Sequence, residues 1–395
     1  PEAVVRAKDK IFDPKAERRA NVYPKLSQAI DDAQQGDTIL IRRNGQLAID
    51  PVELKRADAD LTIKPYEGYR PVLKIGQSTD PDAALFRLHD GKLTLENLEF
   101  VVSPDRAGYK ALSVVMVMGD GQCVVKDCVA TLRDDYGTPL SFLTLSDPSM
   151  VMKMGQANGQ QQVAGISISG SVVRGNGQFL TVRVSRPFEL RAEDSLIALT
   201  GSFLLMEGNP KDAMARGTAD ITLNHLTTYL TDQLFLLRAI KQSGTNLKGL
   251  VNTQVRLAAD CIFASATGKP LVHLDGVDSE EQMKYYFSWQ ESKHNAFSHV
   301  TTYLDQVPAA TNEMAPPAYN EDAWKTFTRD VNGLFALVRF QNAPGPDAPM
   351  WKVIPADFKT RADSNLAGCG ANIERLPKPS DENDTAGRAN AFPDD

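Results

Sequence analysis

Asp134 and Asp135 form the best candidate acid/base pair in this sequence. Hydrolysis of a sugar bond needs two carboxyl groups flanking it, and elimination from a uronate needs a base with calcium held by carboxylates. Adjacent residues of a strand point to opposite faces, however, and the following Tyr136 and Gly137 mark a solvated loop. The five histidines, His89, His225, His273, His294 and His299, stand singly, and the spacing of His294 and His299 suits neither a zinc helix nor a triad. No catalytic residue, metal site or cofactor is assigned from these residues.

Arginines make a stronger case. Arg174, Arg183, Arg186 and Arg191 crowd into one stretch of a chain whose formal charge is -7. With Val182 and Val184 pointing inward, Arg183 faces out, and guanidinium groups on neighbouring strands would grip the carboxylates or sulfates of an anionic glycan. These four are the candidate ligand-binding residues, set against the plainer reading of a charged outer sheet balanced by Glu189, Glu193 and Asp194. Among the aromatic residues, Tyr285, Tyr286, Phe287, Trp289 and Phe297 are candidates for a sugar-stacking platform. Phe287 and Trp289 alternate as an inward pair, which favours core packing.

The elements that position these residues are legible from periodicity. In residues 23–41, Leu26, Ala29, Ile30 and Ala33 share one helical face, Gly36 and Asp37 stop the helix, and Ile39 and Ile41 alternate as a strand. A helix feeding directly into a strand is how a parallel β-helix begins, with the helix plugging the open end. After it, one phrase keeps returning: a short alternating strand, then Asp, Asn or Gly, then a small or apolar residue. Asn97, Asp127, Gly170, Asp194, His225 and Asp260 are equivalent positions at intervals between 24 and 43 residues, and the last copy fits only with a one-residue offset. Short polar side chains and glycine tolerate the left-handed turn such a position requires.

The expected fold is therefore all-β, a right-handed parallel β-helix of the pectate-lyase-like kind. A doubly wound α/β fold needs helices of about ten residues or more between strands, which are missing between Leu93 and Leu274, and polar stretches such as residues 155–162 read as external loops. A β-sandwich is the other alternative. Residues 1–20 read as a linker remnant and 21–310 as the solenoid, with its capping helix at about 24–35. Residues 311–380 read as a C-terminal cap over the open lower edge, with a helix at 321–331 and a strand at 334–340, and 381–395 as a disordered acidic tail.

With 42% hydrophobic and 24% charged residues, the 395-residue chain has ample material for a core. Its acidic balance argues against a nucleic-acid partner, and no apolar run is long enough to span a membrane. The chain opens without Met and without a signal-peptide core, as expected of a mature or excised piece. Cys123, Cys128, Cys261 and Cys369 show neither a disulfide framework nor a zinc pattern and read as buried free thiols.

Several segments together resemble the C-terminal β-helix regions of planctomycete serine/threonine protein kinase-like proteins. They are Gly36-Asp37-Thr38-Ile39, Leu61-Thr62-Ile63, Gly68-Tyr69-Arg70-Pro71-Val72-Leu73 and Ala259-Asp260-Cys261-Ile262-Phe263-Ala264, then Phe287-Ser288-Trp289, Asn295-Ala296-Phe297 and Gly370-Ala371-Asn372-Ile373. The resemblance covers roughly residues 21–377. It implies a module carried outside the cytoplasm or at the cell surface behind a kinase domain and a membrane segment, serving as sensor or adhesion region. The kinase glycine-rich loop, His-Arg-Asp loop and Asp-Phe-Gly are not in this chain. The leading expectation is a non-catalytic binding or scaffold module with an anionic glycan or cell-surface polymer as partner. A polysaccharide lyase or hydrolase is the alternative, and a purely structural surface element the third.

Overall fold

The computed structural model describes residues 9–146, 163–209, 217–240, 249–308, 315–330, 332–335, 337–345, 347–361, 366 and 368–380. The described strands form three parallel sheets of 12, 10 and 9 strands, here called A, B and C. Each coil visits them in that order, as in Gln122–Lys126 (A), Val129–Leu132 (B) and Leu140–Leu145 (C). The chain is a parallel β-helix.

Stacking follows from the alternating pattern. Val125 sits beside Leu95 of the coil before and Ile168 of the coil after, and all three are fully enclosed. Sheet A alternates in strands such as Phe188–Glu193, buried and exposed by turns, so the outer face there meets water. Sheet B does not: Val129–Leu132, Val172–Gly175 and Leu196–Leu199 are buried along their whole length. A strand apolar on both faces must be covered on both.

The six equivalent positions all turn the chain from sheet A to sheet B. Asn97, Asp127, Gly170, Asp194, His225 and Asp260 have φ between 42 and 56, and His294 continues the column. Their backbone N–H groups climb the stack, Asn97 donating to the Lys126 carbonyl, Asp127 to Ser169 and Asp194 to Asn224. The one-residue offset of the last copy is a β-bulge. Ile221 pairs with Val255 but Thr222 with Leu257, which leaves Arg256 as the extra residue.

Both ends are closed by helices. At the first, Leu26–Asp31 buries Leu26, Ala29 and Ile30, and is shorter than the expected 24–35 because Asp32 already ends its hydrogen-bond ladder. At the other, Glu321–Thr328, capped by Asn320, buries Trp324 against Trp289 at 5.1 Å and Tyr303 at 5.7 Å. It stops before 331 at Arg329, which takes the left-handed conformation, and the strand after it spans only Leu334–Phe335.

Two boundaries differ from expectation. Residues 9–12 belong to the solenoid rather than to a linker: Asp9–Phe12 pairs with both Val22–Tyr23 and Thr38–Ile41, with Phe12 in the core. Beyond the closing helix, the chain turns back instead of remaining at the lower edge. Val338, Phe340, Met350, Val353, Phe358 and Leu376 cover the outer face of sheet B, packing with Val129, Val172, Leu196 and Ile262. Residues 155–162 and the proposed tail at 381–395 lie outside the described residues.

Candidate functional site

Turn length along the A-to-B corner locates an open groove. Later coils turn at this corner through residues such as 97 and 98, whereas the coil that joins Asp60–Pro65 to Pro71–Ile75 uses residues 66–70. The longer loop, with Gly68 at φ 83, projects as a wall. Tyr66 and Tyr69 meet edge to face on it, ring centroids 5.8 Å apart. Opposite stands the end of the returning segment, Pro377, Lys378 and Ser380, and between the walls lies a groove of about 880 Å³.

Its floor carries Glu96 and Asp127, and neither has an ion-pair partner among the described residues. Burial, then the Glu96 and Asp194 carboxylates, hold the Asp127 carboxyl above the ordinary Asp range, with Lys126 acting against them. Asp127 also leans into the space beside Gly170, where any Cβ would collide with its Oδ1. Lys64, Arg70 and Lys378 bring cations to the same groove. Glu99 is already engaged, accepting from the Ser380 backbone N–H at 3.1 Å and from its hydroxyl at 2.6 Å.

The four candidate arginines do not form one ladder. Arg174 lies on sheet B, Arg183 at the end of a sheet C strand, Arg186 in the connection to sheet A, and Arg191 on sheet A. A solenoid sends residues a few positions apart to different faces. Buried Arg174 donates to Thr131 Oγ1 at 3.0 Å and to the Val353 carbonyl at 2.7 Å, pinning the returning segment. Arg183 forms a two-pronged pair with Asp82, and buried Arg186 donates to the carbonyls of Met118 and Gly119 and to Asp120. Arg191 alone is exposed; its cross-strand neighbours are Ser167 and Thr222, not guanidinium groups, and it pairs with Glu189 at 3.3 Å.

The remaining candidates fall into structural roles. Asp134 Oδ1 accepts the backbone N–H groups of Tyr136 and Thr138, both at 3.0 Å, while Asp135 pairs with Arg133. Phe287, Trp289 and Phe297 are core residues beneath the closing helix; Tyr285 is exposed and packs on Tyr286. His225 and His294 occupy turn positions on either side of Asp260, and His299 another left-handed turn. His294 Nδ1 lies 2.8 Å from Asp260 Oδ1, and His273 Nδ1 lies 2.7 Å from Asp305 Oδ1.

Cys369 comes close to His294, but its sulfur is 3.5 Å and 3.8 Å from the two ring nitrogens and donates to the His294 carbonyl. Nδ1 is already turned to Asp260, so the nitrogen lone pairs do not converge on the thiol. Burial and Asp260 push that thiol up to about 11, opposite to what a nucleophile requires. Burial pushes the Cys123, Cys128 and Cys261 thiols up to about 12. Among the described residues, no three His, Cys, Asp or Glu side chains meet as a metal centre.

Reading the sequence missed Tyr66, Tyr69 and Glu96 as groove residues and saw Asp127 only as a turn. The available signal was the loop itself, two tyrosines in a corner connection longer than its successors. A scan against protein-family models matches none, and a search of curated proteins finds no match.

Proposed function

We propose that this β-helix is a non-catalytic binding module whose groove at the A-to-B corner takes a segment of a glycan. The observation that carries this reading is the pairing of an aromatic wall, Tyr66 and Tyr69, with a floor on which Glu96 and Asp127 have no ion-pair partner among the described residues. Flat rings stack on sugar faces while carboxylates accept from hydroxyl groups. The groove lining carries five carboxylates, Asp9, Glu67, Glu96, Glu99 and Asp127, against Lys64, Arg70 and Lys378, so it favours a neutral, hydroxyl-rich glycan over an anionic one, and three of the four arginines set out for an anionic partner are spent on internal contacts. The extracytoplasmic sensor or adhesion region of a larger kinase-like protein is the setting the resemblance favours.

One observation favours a carbohydrate-active enzyme as second reading: a carboxyl held above its ordinary range stands beside a second carboxyl in a groove, as a general acid requires. A glycan array decides the first reading. Parent protein should give signals that Tyr66→Ala with Tyr69→Ala abolishes, and an array blank for the parent rejects it. Incubation with polygalacturonate, alginate and neutral glucans plus calcium decides the second, since Asp127-dependent product would establish turnover.

A further inference from the structure

Among the described strands, every sheet end but one carries a feature that keeps a further strand off. An edge strand exposes unpaired N–H and C=O groups, which sheets blunt with shortness, charge, proline, a bulge or a covering element. At the first end of the solenoid, Val22–Tyr23 of sheet A is two residues long and bridges back to Arg19, while Val52–Leu54 of sheet C follows Pro51, carries exposed Glu53 and lies beside the capping helix. At the closing end, Phe287–Trp289 and Leu334–Phe335 are short, and Leu304–Val307 is bridged by Tyr319, whose N–H donates to the Leu304 carbonyl at 2.7 Å. Gly45–Ile49, the first strand of sheet B, has none of these features. It reads GQLAI, without charge or proline, and pairs with Pro71–Ile75 in unbroken register. That ladder fixes which groups face out. Gly45 N–H donates to the Arg70 carbonyl at 3.0 Å, and the Ile49 carbonyl accepts from Gly76 N–H at 2.7 Å. Successive strand residues alternate in direction, so Gly45, Leu47 and Ile49 bond Pro71–Ile75 while Gln46 and Ala48 present their N–H and C=O groups to the open edge.

We infer that a second copy of this chain docks on this edge, the two Gly45–Ile49 strands pairing antiparallel about a twofold axis and joining both sheets B into one. Charge selects this partner and this direction. Arg42 and Arg43 precede the strand and Asp50 follows it. Arg43 and Asp50 have no ion-pair partner among the described residues, and Arg42 has only Asp13 at 3.6 Å. Antiparallel self-pairing brings the cations of each copy towards the carboxylate of the other at both ends of the joint, whereas parallel self-pairing sets like charges together. The joint also adjoins the groove, since Asn44 Oδ1 accepts from the N–H of Arg70, a groove residue, at 2.8 Å. The dimer is therefore bivalent, with one groove beside each end of the strand pair. That last consequence rests on the groove reading; the pairing itself does not.

Sedimentation velocity and hydrogen exchange on the full chain, over a concentration series, test the pairing without any ligand. A monomer–dimer equilibrium is expected, in which the Gln46 and Ala48 amides gain protection as dimer forms while Leu47 and Ile49 are protected throughout. A chain that stays monomeric up to its solubility limit overturns the inference. So does protection of Gln46 and Ala48 that is independent of concentration, which would mean that the chain's own residues cover the edge. Gln46→Lys with Ala48→Lys sets like charges across the joint from side chains exposed in the monomer. The melting temperature of the dilute protein should hardly move, and the dimer dissociation constant should rise about tenfold or more. Asp50→Arg, which leaves the strand itself intact and makes both of its ends cationic, should weaken the dimer several-fold. A dimer as tight in the lysine variant as in the parent places the contact elsewhere and overturns the edge assignment, and one indifferent to Asp50→Arg overturns the antiparallel direction.

Discussion

The two ends of the A-to-B corner share one backbone and differ in what lies over them. At Asp194, His225, Asp260 and His294 the turn residues lie along the path of residues 368–380, the end of the returning segment, and mostly bond protein atoms. At Asn97 and Asp127 the same left-handed turns open onto the groove, because an earlier coil lifts a tyrosine-bearing loop away from them and, among the described residues, the returning segment 368–380 ends at Glu99. A repeated turn therefore becomes a site through its neighbours, not through its own residue type. Asp127 and Asp260 are the same residue in the same conformation; one faces a carboxylate and open space, the other a histidine.

The largest expected effect comes from breaking the scaffold both ends share. Val125→Asp places a carboxyl between Leu95 and Ile168, where nothing can pair with it. A loss of several kcal/mol, roughly 3–5, is expected, and it should spread along the axis because each coil stabilises its neighbours. Groove and returning segment should unfold together in denaturant. A variant as resistant as the parent would place Val125 outside the core.

A second substitution separates the covered end from the open one. Arg174→Gln removes the guanidinium that ties sheet B to Val353, and about 1–3 kcal/mol should be lost with the charged hydrogen bonds. Limited proteolysis should then cut the returning segment first. Arg191→Gln, on the exposed face of sheet A, should change stability by less than about 0.5 kcal/mol. Equal effects would mean that Arg174 does not hold the segment.

How much of this was readable follows the distance between partners. The solenoid was readable because its rules are local: alternation, a turn residue, a small residue, and a helix before the first strand. Even the bulge at Arg256 showed as a register offset. What covers sheet B was not apparent, since Val353 and Arg174 are 179 residues apart. The groove was hidden for the same reason, as Glu99 and Ser380 are separated by 281 residues. The arginine cluster misled because closeness in sequence is not closeness in space when each strand turns to a new face.

The open end is tested by its aromatic wall. Tyr66→Ala with Tyr69→Ala removes two half-buried rings from a loop outside the core, so thermal stability should hardly move. Glycan affinity should fall about five- to a hundredfold, matching the loss of two stacking contacts of about 0.5–1.5 kcal/mol each. Titration calorimetry beside a melting curve distinguishes this from unfolding. Unchanged affinity would move the binding surface elsewhere on the molecule.

The smallest effect, and the sharpest comparison, concerns Asp127. Its carboxyl is held above the ordinary range by burial and by Glu96 and Asp194, so the folded state binds this proton more tightly than the unfolded chain. Linkage fixes the sign. The group's contribution to stability is fully present below the unfolded pKa and is lost as pH rises through the folded one. Asp127→Asn, which cannot ionise, should match the parent most poorly at neutral pH, where the variant gains roughly a few tenths of a kcal/mol after allowance for solvent screening. Denaturation midpoints of both proteins, taken from acid to neutral pH, give this difference directly, with other titrating groups cancelling. A difference that is flat with pH, or that grows towards acid, would show that Asp127 is not crowded by its neighbours and that the open end of the corner carries no more strain in its charges than the covered one.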